Sequence, residues 1–248
     1  AATAVLRCML LAAALPLRAA AQSACNHPHG ELQDDGSCVC NTGYATLVAD
    51  VSGPIALLSD NSFVDEDGEA ANVAAELEAW DKTVSEHSSL AAFVAALVAP
   101  SEYDVAVVPE LERGSPLDAL SAAERATVES FVRRGGILQV HHPGKTSSRG
   151  CTLLNAIFGW SLASGSGDST AQKSAGAART WWSEGPSSIS IGGNSWSAIA
   201  ASSLPASARV AYTDSSGSSA HVVEIPRGDG AVRILPWDFF RSTPTTAT

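Results

Sequence analysis

Several side chains able to do chemistry each follow directly on an apolar run. Asp60 follows Ile55–Leu58, Glu110 follows Tyr103–Val108, His141 and His142 follow Ile137–Val140, and Trp237 and Asp238 follow Val232–Leu235. Carboxylates and imidazoles can hydrogen-bond hydroxyls, shuttle protons or hold a metal ion, and a tryptophan face can stack on a sugar ring. The runs are too short for helices and too apolar for exposed strands, as expected of parallel strands covered on both faces. In open parallel sheets, ligands bind outside the carboxyl ends of the strands. Asp60, Glu110, His141, His142, Trp237 and Asp238 are therefore the candidate ligand-binding set. Three uses of that edge fit the residues: hydrogen bonds to the protein's own loops alone, as in an interaction scaffold; a small polar ligand such as a saccharide; or a metal-assisted hydrolase or isomerase built on His141/His142. Adjacent histidines on a strand point to opposite faces, which weighs against both ligating one ion.

The elements that must position these residues are readable along the chain. Residues 103–144 spell strand, crossover helix and strand. Ser121-Ala-Ala-Glu124 is a capping box, Val128, Phe131 and Val132 recur at helical spacing, and Gly135-Gly136 ends the helix. A connection of this kind implies a right-handed parallel crossover. Helices are expected over EAANVAAELEAW (69–80), Ser89–Ala99 and Cys151–Trp160. Short strands are expected at Thr83–Glu86, Ser187–Ile191 and Arg209–Thr213, with a helical turn at Trp196–Ala201. His221–Ile225 and Val232–Leu235 flank Arg227-Gly-Asp-Gly230, the signature of a C-terminal hairpin turn rather than of an integrin ligand. Alternation of strand and helix predicts an α/β domain with three layers around a mostly parallel sheet.

The net charge of −11 and the 45% hydrophobic content suit a globular core and disfavour nucleic acid or an anionic membrane surface as partner. No run approaches the ~18 apolar residues of a membrane span. No cofactor motif is present: Gly144-Lys145-Thr146 lacks the earlier glycine of a phosphate loop. Residues 1–22 read as a secretory signal, with Arg7 ahead of the apolar Met9–Leu17 run and Ala19-Ala20-Ala21 at the cleavage region, so the protein is expected to be secreted. Residues 23–48 form a cysteine-rich module. Without Cys8, four cysteines remain: Cys25, Cys38, Cys40 and Cys151. They allow three connectivities, of which Cys25–Cys38 with Cys40–Cys151 is the preferred one.

Two resemblances add to this reading. Cys38-Val-Cys40-Asn-Thr-Gly43-Tyr44 resembles the C-terminal half of an EGF-like repeat, without its closing cysteine. Residues 50–242 resemble class I glutamine amidotransferase-like domains, nearest the ThuA-like (trehalose utilisation) branch. The likeness rests on the Gly135-Gly136-strand-His141 segment, the Leu153-Leu154-Asn-Ala-Ile-Phe-Gly159 stretch and the final Gly228-Asp-Gly-Ala-Val-Arg-Ile-Leu-Pro-Trp-Asp238. The resemblance implies a flavodoxin-like fold and a link to sugar metabolism. It also implies a nucleophilic cysteine after the strand Ile137–Val140, where this chain has His141, which cannot carry the covalent thioester. Glutaminase chemistry is therefore not expected, and a non-catalytic domain binding a polar ligand is.

Overall fold

A computed structural model describes residues 30–32, 38–40, 53–79, 81–141, 148–166, 170–190, 197–237 and 239. The expected signal, Cys25, His142 and Asp238 lie outside them. Of residues 23–48, the described part is two short strands, β1 (Gly30–Leu32) and β2 (Cys38–Cys40), paired antiparallel.

The remaining strands belong to one eleven-stranded sheet. Its first half is parallel: β3 (Ile55–Leu58), β4 (Val84–His87), β5 (Val105–Val108) and β6 (Ile137–His141) join the last strand, β13 (Gly230–Leu235), in the order β4-β3-β5-β6-β13. Beyond β13 every pairing is antiparallel. β12 (Ser219–Arg227), β11 (Arg209–Thr213), β8 (Thr170–Lys173) and β9 (Ser188–Ser190) extend the sheet, while β10 (Ala198–Ala200) pairs with β12 and β7 (Ser164–Gly165) with β10. The chain is thus α/β with a mixed sheet, and the expectation of a mostly parallel one is corrected. The cause is the Ser/Gly/Ala-rich stretch after residue 160, which supplies strands β7 and β8 where the sequence shows no apolar alternation. The helical turn expected at Trp196–Ala201 is also replaced: Ala198–Ala200 is strand, and a 3-10 turn begins at Ala201.

Among the described residues, four α-helices cover the sheet. α1 (Ala71–Ala79) follows a π-helical turn at Glu66–Ala70 and packs Val73, Ala74 and Leu77 on Ile55, Leu57, Val105 and Val107. The opposite face, including Leu58, Val108 and Val140, is buried by α2 (Leu90–Ala96), α3 (Ala122–Arg133) and α4 (Arg149–Phe158). Neighbouring strand residues therefore serve opposite cores, which is why β3 and β5 carry no polar position. The capping box on α3 forms as read, with Ser121 N–H donating to Glu124 Oε2 at 2.8 Å and Glu124 N–H to Ser121 Oγ at 3.3 Å. The β12–β13 hairpin turns at Gly228-Asp229 and sits on the end of α3, where Arg227 is held by Glu129 at 2.5 Å. Gly228 is left-handed (φ 63°), and a Cβ there would meet the Arg133 carbonyl oxygen at 2.5 Å. The Arg-Gly-Asp triplet is a packed turn. Among the described residues, no helix is long and apolar enough to cross a membrane.

Candidate functional site

The carboxyl ends of the parallel strands form one edge. Register places Val108 beside Val140 and Leu235 beside His141, so Ser59-Asp60, Pro109-Glu110, His141 and Pro236-Trp237 emerge from neighbouring strands. The elements gather these residues, but they do not use them alike.

Asp60 braces the fold. Its Oδ2 accepts from the Leu90 amide at 2.8 Å, supporting the first turn of α2 beside the Ser89 cap, and its Oδ1 accepts from the Ser62 amide at 2.9 Å. Burial alone would raise its carboxyl pKa. The Ser62 and Leu90 amides and the Ser62 hydroxyl outweigh burial and hold it below the usual carboxylate value. Glu110 is buried at the end of β5. The loop after it is tied down twice: Arg149 of α4 donates to the Leu111 and Glu112 carbonyls at 2.8 and 2.5 Å, and Arg113 pairs with Asp65 at 2.5 Å.

His141 is fully enclosed. Its Nε2 lies 2.8 Å from Gln139 Nε2, a pairing in which the amide donates to an unprotonated ring nitrogen. Its ring stacks on Phe239, with centroids 5.0 Å apart and planes at 26°. The Phe239 carbonyl is fixed by Asn72 Nδ2 of α1 at 2.7 Å. Trp237, by contrast, is packed into the apolar cluster with Leu235 and Val222. Phe239, which the sequence did not single out, supplies the aromatic surface beside an edge imidazole.

A second polar arrangement runs across the sheet next to His141. Register lines up Arg209, Glu224, Arg233 and Gln139 on β11, β12, β13 and β6. Glu224 Oε1 takes Arg209 Nη1 at 3.1 Å and its Oε2 faces Arg233 Nε at 3.4 Å. The Arg233 side chain is 2% exposed, and its guanidinium lies 3.5 Å from the Trp181 ring centroid. Trp181 and Trp182 thus divide their work: the first stacks on a cation, and the second fills the core. The signal was present in HVVEIPR and AVRIL, where single charges interrupt apolar strands.

Cys151 is a free thiol on the buried face of α4. The side chain of Cys151, the expected partner of Cys40, packs inside the apolar cluster of Leu153, Leu154 and Ile157; the side chain of Cys40 lies outside the described part of the structure. Burial, only partly offset by the Ser164 hydroxyl, pushes its pKa up to about 11, so it stays protonated at neutral pH and is a poor nucleophile. Burial also lowers the pKa of His87, which sits edge-on to Phe93 and Tyr103 at 6.2 and 5.7 Å. Among the described residues, no three His, Cys, Asp or Glu side chains cluster so as to hold a metal ion.

No protein-family model matches the chain, and neither does any curated protein. Among solved structures, it is similar to the exo-beta-1,4-mannosidase Op5Man5 from Opitutaceae bacterium strain TAV5, at 16% identity and a TM-score of 0.47, over 75% of this chain and 31% of that one. The chain therefore spans about a third of the mannosidase's length. It is similar to the mmIFT52 N-terminal domain at 10% identity and a TM-score of 0.49, over 76% of this chain and 88% of that one. It is also similar to the cytoplasmic protein STM3548 from Salmonella typhimurium at 12% identity and a TM-score of 0.46, over 75% and 87%.

Proposed function

We propose that the chain is a secreted, non-catalytic domain that binds a small polar ligand, a saccharide by our reading, at the carboxyl edge of its parallel strands. The observation that carries this reading is the pair Glu110 and His141, both buried, ending adjacent strands β5 and β6. Polar groups held at this edge of an open sheet match the usual place and chemistry of a ligand site. Carboxylate and imidazole suit hydroxyl groups, and the protonated Cys151 gives no thiolate for acyl transfer. The order β4-β3-β5-β6-β13 corresponds to the 2-1-3-4-5 arrangement of flavodoxin-like sheets, which supports that reading of the parallel half. It is also compatible with the ThuA-like resemblance, whose link to sugar metabolism favours a saccharide among polar ligands. Secretion rests on residues 1–22, and mass spectrometry of the mature protein should find its N-terminus near Gln22.

A glycan array followed by calorimetry on the purified chain tests the binding claim. Glu110→Gln should weaken binding of the captured saccharide by about 1–3 kcal/mol, the usual consequence of removing a charged hydrogen-bond partner. If no sugar binds but zinc or manganese does, with affinity lost in His141→Ala, the metal-assisted reading replaces this one. If neither binds, the edge residues serve only an interaction scaffold.

A further inference from the structure

We infer that the cavity between β11 and the 3-10 helix Ala175–Arg179 is an anion site for a small molecule with two or more negative charges, an organic phosphate or a polycarboxylate. It lies apart from Glu110 and His141 in its lining, so it stands or falls independently of the saccharide reading. The cavity measures about 390 Å³, and among the residues lining it are Ser174, Gly176, Arg179, Arg209 and Val210. None of its lining residues is acidic. Its size is at the small end for a ligand pocket.

Charge is the first argument. The chain carries −11 overall, yet Arg179 and Arg209 line this cavity, Arg233 is in register with Arg209 through Glu224, and Lys173 pairs with Tyr212 on the same strand as Arg209. Glu224 sets one carboxylate against two guanidiniums, Oε1 against Arg209 and Oε2 against Arg233. The Lys173 ammonium is bound by neutral groups, the Ser183 and Gly185 carbonyls at 2.6 and 2.7 Å. Two of these cations, Arg179 and Arg209, line the concavity itself, and no carboxylate does.

Geometry is the second. Arg209 Nη1 is anchored to both Glu224 Oε1 and the Arg179 carbonyl, at 3.1 and 3.2 Å. That anchor fixes the guanidinium before any ligand arrives, while its Nε and Nη2 have no partner among the described residues. Arg179 is exposed, and its guanidinium likewise has no partner among the described residues. Two arginines in one lining offer the planar donor pattern that carboxylate and phosphate oxygens match. Another part of the lining is stiff. Ser174 Oγ donates to the Val210 carbonyl, the Gly176 amide donates to Ser174 Oγ at 3.0 Å, and a Cβ on Gly176 would meet the Val210 carbonyl oxygen at 2.4 Å. A lone solvated arginine has neither a pinned neighbour nor a fixed wall.

Calorimetry with pyrophosphate and with citrate at low ionic strength tests the site on the full chain. At least one anion should bind with a Kd below about 1 mM, and Arg179→Gln should weaken it by about tenfold or more. Arg209→Gln should do the same if its melting curve shows it folded; the exposed Arg179 keeps the test decisive if it does not. Arg133→Gln, a surface arginine on α3, should leave the affinity unchanged. Tighter pyrophosphate binding assigns an organic phosphate, and tighter citrate binding a polycarboxylate. The inference is overturned if neither anion gives heat at about 10 mM, if Arg179→Gln binds as tightly as the parent, or if Arg133→Gln weakens binding equally.

Discussion

Replacing Glu224 with glutamine tests whether the polar row across β11, β12, β13 and β6 is held by charge. The substitution keeps shape and removes the carboxylate that faces Arg233 at 3.4 Å and Arg209 at 3.1 Å. Breaking a buried ion pair from one side generally costs 3–5 kcal/mol, because the remaining charge stays desolvated. Two features bring this case to the lower end. The Arg209 side chain is 42% exposed and regains water, and the Trp181 stack on Arg233 is retained, worth about 0.5–2 kcal/mol. The expected loss is about 3 kcal/mol. In urea, with a slope of about 2 kcal/mol per molar, the unfolding midpoint should fall by about 1.5 M. Glu224→Leu combined with Arg233→Met should recover more than half of that loss, since apolar replacement of both partners removes the buried charge as well. A loss below about 0.5 kcal/mol for Glu224→Gln, the range of ordinary surface changes, would refute the argument.

Three further outcomes are expected. The Cys151 thiol, with its pKa near 11, should resist disulfide reagents in the native protein at pH 8 and react once urea unfolds the chain; rapid native labelling would contradict its burial. Asp60→Asn should destabilise by about 0.3–1 kcal/mol at pH 7, the usual worth of a negative charge beside a helix N-terminus. Because the amides of Ser62 and Leu90 hold the folded pKa of Asp60 below the ordinary carboxylate value, that difference is present at neutral pH and should fade as pH falls through the folded pKa, which denaturant titrations stepped from pH 7 into the acid range would show. Gly230→Ala should cost about 3 kcal/mol and Gly217→Ala only about 1 kcal/mol in the same assay. A Cβ at Gly230 would lie 2.1 Å from the Gly136 carbonyl oxygen, whereas Gly217, left-handed at φ 73°, has nothing within 4 Å.

What the sequence revealed follows the range over which each signal acts. The Ser121–Glu124 box, the Gly135-Gly136 stop and the four-residue apolar strands are local, so the β5–α3–β6 unit and the polar ends of its strands were readable. Asp60 was readable as an edge residue but not as a brace, because its partner Leu90 is thirty residues away. The row Arg209–Glu224–Arg233–Gln139 exists only when four strands take one register, and two of them belong to the antiparallel extension. That extension draws on strands such as Thr170–Lys173, whose pairing with β11 and β9 supplies the order that their own composition does not. The packing of Trp237 was hard to read for a related reason: a tryptophan beside polar residues is as ready to fill a core as to face a ligand.

The most direct test of the proposed function is an amide-resolved NMR titration of the full chain with the saccharide that a glycan array retains. The account predicts saturable shifts concentrated at Asp60–Ser62 and Glu110–Glu112, on the loops leaving β3 and β5 at the carboxyl edge, and their loss in Glu110→Gln. Shifts confined to other surfaces, or unchanged in Glu110→Gln, would contradict it.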